Sequence, residues 1–317
     1  MGIALVLHGG GFAGAKQVGF AKELWARGKI PSVIQVVSVG ALNGAGLVEV
    51  GPEEVERRWR LIERNGPSSI FNWKGMPFHL ISMSNALLSD YGLNELVKQL
   101  DMSKIVSSPI RLEVAVRNET TNQLMFFSNH DLDIKENPEI LRKAIKASAS
   151  LPGIFPPVEI NGEYYSDAYC FDLERLAKFE TILLLMNEEP KANKDLHSLP
   201  SYQRLFVGFN EILDDLVELK IDSFVDKHPE FKRIKISSNL GIFDRIKKKL
   251  ADAASKILEA LDLKDSRQLI VISPEYSLPT LRLDSFHLPT KTQEGDIGKA
   301  IRLSQEQARQ LLDQLEI

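Results

Sequence analysis

Hydrophobic positions near the N-terminus come in short runs divided by glycine. Ile3-Ala4-Leu5-Val6-Leu7 is too short for a helix and suits a strand covered on both faces. Residues Ala15 to Arg27 repeat apolar side chains at helical spacing, with Val18, Ala21, Leu24 and Trp25 on one stripe and Gly28 as the stop. Val33-Ile34-Gln35-Val36-Val37 predicts a second buried strand, and Gly40 to Val50 a second helix. Strand, loop, helix, strand, helix predicts the α/β class, with a mostly parallel sheet between helical layers. A right-handed crossover sets the two strands side by side, so their C-terminal ends share one sheet edge.

Further along, Pro52 to Arg64 reads as a helix with proline in its first turn. Residues 67–91 show no period yet carry Phe71, Trp73, Met76, Phe78 and Met83, which suits a core-covering loop or the wall of an apolar pocket. Arg111 to Arg117 and Gln123 to Ser128 predict two strands around a polar turn, and Pro138 to Ala147 a helix. Two amphipathic helices are expected at Leu205 to Val225 and Ile242 to Leu263, then a strand at Gln268 to Ser273 and a last helix at Gly298 to Leu315. The expectation is one domain over residues 1–317. Its core spans about 1–190, with a helical insertion at about 205–263 and a closing strand and helix at about 266–317.

Composition narrows the chemistry. Hydrophobic residues make up 44% and charged residues 26% of the 317, as in an ordinary globular protein. A net charge of -4 argues against a nucleic-acid partner. The single cysteine, Cys170, leaves no disulfide framework and no cysteine-rich metal site. With no signal-peptide start and no long apolar run, a cytoplasmic protein is expected.

Gly9-Gly10-Gly11-Phe12-Ala13-Gly14 satisfies G-x-G-x-x-G between a strand and a helix. A dinucleotide site also wants an acidic residue at the end of the second strand, and Val37-Ser38 has none nearby. The other chemistry open to such a loop is stabilisation of an anion by bare backbone N–H groups. Val36-Val37-Ser38-Val39-Gly40 sits where strand gives way to helix, the setting of a nucleophile elbow. By itself Ser38 reads first as an N-cap. Beside the glycine loop it becomes a candidate nucleophile next to a nest of donors. Candidate bases are Asp167, with Asp172 behind it, and His8 at the end of the first strand; the other five histidines lie in segments without catalytic pattern.

Three blocks, in order, resemble the patatin-like phospholipases. They are Gly9 to Gly14 running into Ala15-Lys16-Gln17-Val18-Gly19, then Ser38-Val39-Gly40-Ala41-Leu42-Asn43-Gly44-Ala45, then Ala147-Ser148-Ala149-Ser150-Leu151-Pro152-Gly153-Ile154-Phe155-Pro156-Pro157-Val158 running on to Asp167. The resemblance covers about residues 3–175, and the closing helix is similar too. It implies a three-layer fold with Ser38 as nucleophile and Asp167 as base. The oxyanion hole would be built around Gly10 and Gly11, with Gly9 and Gly14 in the same loop and Val39 and Gly40 completing the elbow. It implies no cofactor and no metal. The substrates would be phospholipids, lysophospholipids or related esters.

Three positions depart from the family pattern. Val36 stands where the elbow's first glycine is usual, Ala13 where Arg or Lys follows the glycines, and Asp167-Ala168-Tyr169 where D-G-G or D-G-A is usual. They keep open an impaired member acting as a lipid-binding or partner module; a nucleotide-binding α/β protein is the remaining alternative. A lipid substrate would bring peripheral membrane contact at the inner face, for which residues 242–263 offer an apolar stripe and the Lys247-Lys248-Lys249 cluster. An ordinary helix with a solvated basic face has the same pattern.

Overall fold

The computed structural model describes residues 2–66, 89–187, 215–236, 267–273, 295–315 and 317. Among these, nine strands form one sheet: β1 (Ile3–Leu7), β2 (Val33–Val36), β3 (Arg111–Asn118), β4 (Leu124–Ser128), β5 (Val158–Ile160), β6 (Glu163–Asp167), β7 (Thr181–Leu185), β8 (Phe231–Ile236) and β9 (Arg267–Ile272). Pairing links them in the path β5-β6-β3-β2-β1-β7-β9-β8, with β4 also on β3. The centre is parallel: β1 lies between β2 and β7, β2 runs along β3, and β9 lies between β7 and β8. Only β4, β5 and β6 add antiparallel pairs.

Helices cover both faces, which is why β1, β2, β7 and β9 read as continuous apolar runs rather than alternating ones. The helices are α1 (Ala15–Ala26), α2 (Val39–Val50), α3 (Pro52–Asn65), α4 (Tyr91–Lys98), α5 (Met102–Ser107), α6 (Leu132–Glu136), α7 (Glu139–Ser148), α8 (215–227) and α9 (Asp296–Gln314). One core cluster joins Leu5, Leu7, Ile34 and Leu183 to Val18, Leu24, Leu141, Ile301 and Leu312. A second, on the opposite face, joins Ala4, Val6, Ile182 and Leu184 to Ile221, Phe224 and Phe171. Side chains such as Leu5, Ile34 and Leu112 lose all solvent contact, each stabilising the fold by about 1.5–3 kcal/mol relative to exposure.

The α/β class and the parallel β1–β2 pair stand as expected, the observed elements matching within a few residues. The segment Thr181–Leu185, which no periodicity marks, is a central strand paired to β1. β8 lies between the two helices expected at 205–225 and 242–263, so that stretch adds an edge strand to the sheet. Of the expected loop at 67–91, residues 67–88 lie outside the described residues, as do the first part of the 205–225 helix and all of 242–263. None of the described helices is long and apolar enough to cross a membrane.

Candidate active site

Ser38 takes φ 59° and ψ −131°, a conformation that side chains rarely adopt, and it caps α2 directly after β2. Its N–H donates to Ser148 Oγ at 3.0 Å, at the buried end of α7. The half-buried hydroxyl therefore sits over the sheet edge at a helix N-terminus, where the aligned peptide dipoles favour negative charge. Val36, which stands where the elbow's first glycine is usual, is fully buried, and the turn keeps its strained form. The room comes from Gly44, one turn into α2: a Cβ there would lie 2.4 Å from Val36 Cγ1.

Sheet register brings Asp167 to Ser38. Glu113 and Val114 on β3 pair with both β2 and β4, so those two strands occupy opposite edges of β3. Val116 and Arg117 pair with both β4 and β6, so β6 shares its edge with β2. β2 leaves that edge at Val36 opposite Val114, and β6 takes it over at Asp167 opposite Val116. Asp167 thus ends a strand in the gap that β2 vacates when the chain turns at Ser38. Its N–H donates to the Ser150 carbonyl at 3.0 Å. The stretch 148–150 therefore holds the backbone of both residues.

Asp167 is 1% exposed. Burial raises its pKa to about 7, against the pull of the Ser38 hydroxyl and the Tyr169 N–H. The N–H bond to Oδ1 is 2.9 Å, whereas Oδ2 has no partner at full hydrogen-bond geometry. The Ser38 contact is thus an approach rather than a closed bond, as is common before substrate binds. Ala168 needs no glycine: it packs with Val37 and Ala115. Tyr169 does occupy a glycine-like conformation, at φ 56°. Burial and the Asp167 charge raise its phenol pKa.

The glycine loop closes the third side. A Cβ on Gly9 would stand 2.9 Å from Ser38 Cβ, so the loop touches the elbow. Gly10 and Gly11 have φ 143° and 54° and lead into a tight helical turn over Gly11–Gly14, where Ala13 N–H donates to the Gly10 carbonyl. Among the described residues, the N–H groups of Gly9, Gly10 and Gly11 find no acceptor. Gly14 lies against Val39, its carbonyl receiving Asn43 Nδ2 at 2.8 Å, and Gly40 lies under the Leu7 carbonyl. Ala13, at the position of a usual cation, is buried outright, and Lys16 lies in the interior beside Asn187.

Asp172 is engaged elsewhere: its Oδ1 accepts the Glu174 N–H, and Gln35 holds both its N–H and its carbonyl. His8 is buried edge-on to Phe171, and desolvation lowers its pKa to about 4, so it is neutral at physiological pH. His130 and His228 bond to Ser108 and Glu174 near the surface, and His79, His197 and His287 lie outside the described residues. Sequence reasoning quoted Ser148 without a role, and Asn187, which bonds the His8 and Gly9 carbonyls, belongs to no motif.

Ser38, Asp167 and the glycine loop all fall within residues 5–172, which match the model of the patatin-like phospholipase family. No curated protein matches the chain. Among solved structures, VipD from Legionella pneumophila aligns with a TM-score of 0.45 and 16% identity, over 98% of this chain and 67% of that one. The family match spans more than half of the 317 residues, and by it the chain belongs to the patatin-like phospholipases, a family of lipid acyl hydrolases.

Proposed function

We propose that the protein hydrolyses carboxylic esters of phospholipids, lysophospholipids or related lipids, with Ser38 as nucleophile and Asp167 as its base. The observation that carries this reading is the shared β3 edge, which sets a buried carboxyl with a pKa of about 7 against a strained, half-buried serine. A base near neutrality exchanges protons readily at working pH. Ser38 Oγ attacks the ester carbon as its proton passes to Asp167. The negative oxygen is held by the N–H groups of Gly10 and Gly11. Collapse of this intermediate breaks the ester bond, and the departing alcohol takes the proton from Asp167. Water then attacks the acyl-serine, again giving a proton to Asp167, which returns it to Ser38 as the fatty acid leaves.

Peripheral membrane contact belongs to the same reading. It rests on the basic cluster of residues 242–263 and on the lipid class the family handles.

A fluorophosphonate probe with an intact-mass readout tests the reading. A single adduct is expected on the wild-type chain and none on Ser38→Ala. Asp167→Asn should lower kcat on a p-nitrophenyl ester by about 10⁴-fold. Because only ionised Asp167 accepts the proton, wild-type kcat/KM should rise with pH and level off above about 7. An adduct that survives in Ser38→Ala sinks the assignment.

A further inference from the structure

Resting on this reading, we infer that Asn187 is a positioning residue for the reaction: it aims the amide donors of the glycine loop. In a trans peptide the C=O of one residue and the N–H of the next point in opposite directions within one plane. Whatever holds the Gly9 carbonyl therefore sets the direction of the Gly10 N–H, and whatever holds the His8 carbonyl sets that of Gly9. Asn187 does both. From just past the end of β7, its Nδ2 donates to the His8 carbonyl and to the Gly9 carbonyl, each at 3.0 Å. The two acceptors also settle which way the side-chain amide faces, since a flip would turn its oxygen onto two carbonyls. Asn187 Oδ1 is left buried without a partner, so the side chain is held for its donors rather than for a balanced pair.

Two other features converge on this geometry. A Cβ on Gly10 would lie 2.5 Å from Asn187 Cβ, so the asparagine packs directly beneath that residue and occupies the space a side chain would need. The second lone pair of the His8 carbonyl receives Gln17 Nε2 at 2.6 Å. Gln17 is held in turn by Asn43, and Asn43 by Trp59. The carbonyls of His8, Gly9 and Gly10 are thus all engaged within the protein, and peptide planarity turns the amides of Gly9, Gly10 and Gly11, all three residues half-exposed, each away from the partner of the preceding carbonyl. Asn187 lies beyond the residues that match the family model, and it touches no reacting atom. It acts through the loop.

A donor aimed at an oxyanion matters in the transition state and little in the ground state. Asn187→Ala should therefore lower kcat on a p-nitrophenyl ester at least about tenfold while KM stays within about twofold. Inhibition by an alkyl trifluoromethyl ketone, which forms a tetrahedral oxyanion on serine, should weaken by the same factor. Asn187→Ser, which keeps a small polar side chain, carries the same expectation if the alanine variant does not fold. Gln17→Met removes only one of the two bonds to the His8 carbonyl and should lose less. Ile182→Val on β7, whose unfolding midpoint should also fall, serves as the control for strand destabilisation and should leave kcat unchanged. A wild type that reacts at Ser38, with Asn187 variants whose kcat is unchanged or whose loss lies in KM, overturns this inference alone. A wild type that neither labels nor turns over removes the proposed function and this inference together.

Discussion

Two regions around Ser38 have lost a glycine that the family pattern carries, and they answer the loss in different ways. At the elbow, Val36 fills the space of a missing Cβ, and Gly44 on the facing helix gives that space back. At the turn after Asp167, Tyr169 must adopt the positive φ that glycine would take freely, and it does so at 56°. Glycine supplies two separable properties, an absent side chain and a permissive backbone. Absence can move to another residue, because volume belongs to the neighbourhood. A dihedral belongs to one residue, so its strain stays there, offset by local contacts such as the Tyr169 N–H bond to Asp167.

Two ionisable groups are buried near these regions, Asp167 at the turn itself and His8 at the end of β1, and breaking that pair gives the largest expected effect. Burial raises Asp167 to about 7 and lowers His8 to about 4, because desolvation disfavours whichever form is charged. The folded chain therefore binds its Asp167 proton more tightly than the unfolded chain does, and stability from that group is lost as pH rises from about 4 to 7. His8 works in reverse, losing stability as pH falls from about 6.5 to 4. In the wild type the two slopes largely cancel between pH 4 and 6.5. Asp167→Asn should uncouple them, gaining on the order of 4 kcal/mol over wild type at pH 8 and little at pH 4. Its stability should then climb with pH up to about 6.5 and stay level. Urea midpoints across this range measure it, and a gap between the two proteins that does not change with pH would refute the burial account.

The elbow arm is sharpened by a double substitution. Gly44→Ala drives a Cβ into Val36 and should cost about 1–3 kcal/mol. In a Val36→Gly background the obstruction is gone, and the same change should stabilise by up to about 1 kcal/mol through helix propensity. The sign of the Gly44→Ala effect should reverse between backgrounds in chemical denaturation. Two effects of the same sign would mean that Gly44 does not substitute for the elbow glycine.

What was legible in the sequence follows the same division. β1, the glycine loop, α1, β2 and Ser38 stand in one local stretch whose spacing is set by a crossover, and periodicity with glycine placement is enough to read them. Asp167 could be named by resemblance, but its partnership with Ser38 depends on β6 following β2 along β3, a register between strands more than a hundred residues apart. Pattern within one segment carries no trace of that. Thr181–Leu185 is equally silent: five residues with four apolar ones do not announce a central strand until β1 and β9 flank it. Val36 and Ala168 looked like damage because the sequence shows which residue replaced a glycine, while Gly44 and the Val37–Ala115 contact show what received it.

The smallest expected effect isolates the dihedral. Comparing glycine with alanine at one position removes the side chain in both cases, so the difference reports the backbone. At position 169, with φ at 56°, alanine meets the steric penalty that favours right-handed backbones, and Tyr169→Gly should be more stable than Tyr169→Ala by about 1 kcal/mol. At position 36, inside a regular strand, alanine has no such penalty and glycine has more freedom to lose on folding. Val36→Gly should therefore be less stable than Val36→Ala by about 0.5–1 kcal/mol. The order reverses between the two sites although both lie in stretches where the family pattern carries glycine. Unfolding midpoints for the four variants decide it. If alanine is the better residue at both positions, the turn after Asp167 relaxes when the tyrosine is removed, and the ring rather than the backbone holds the strained conformation.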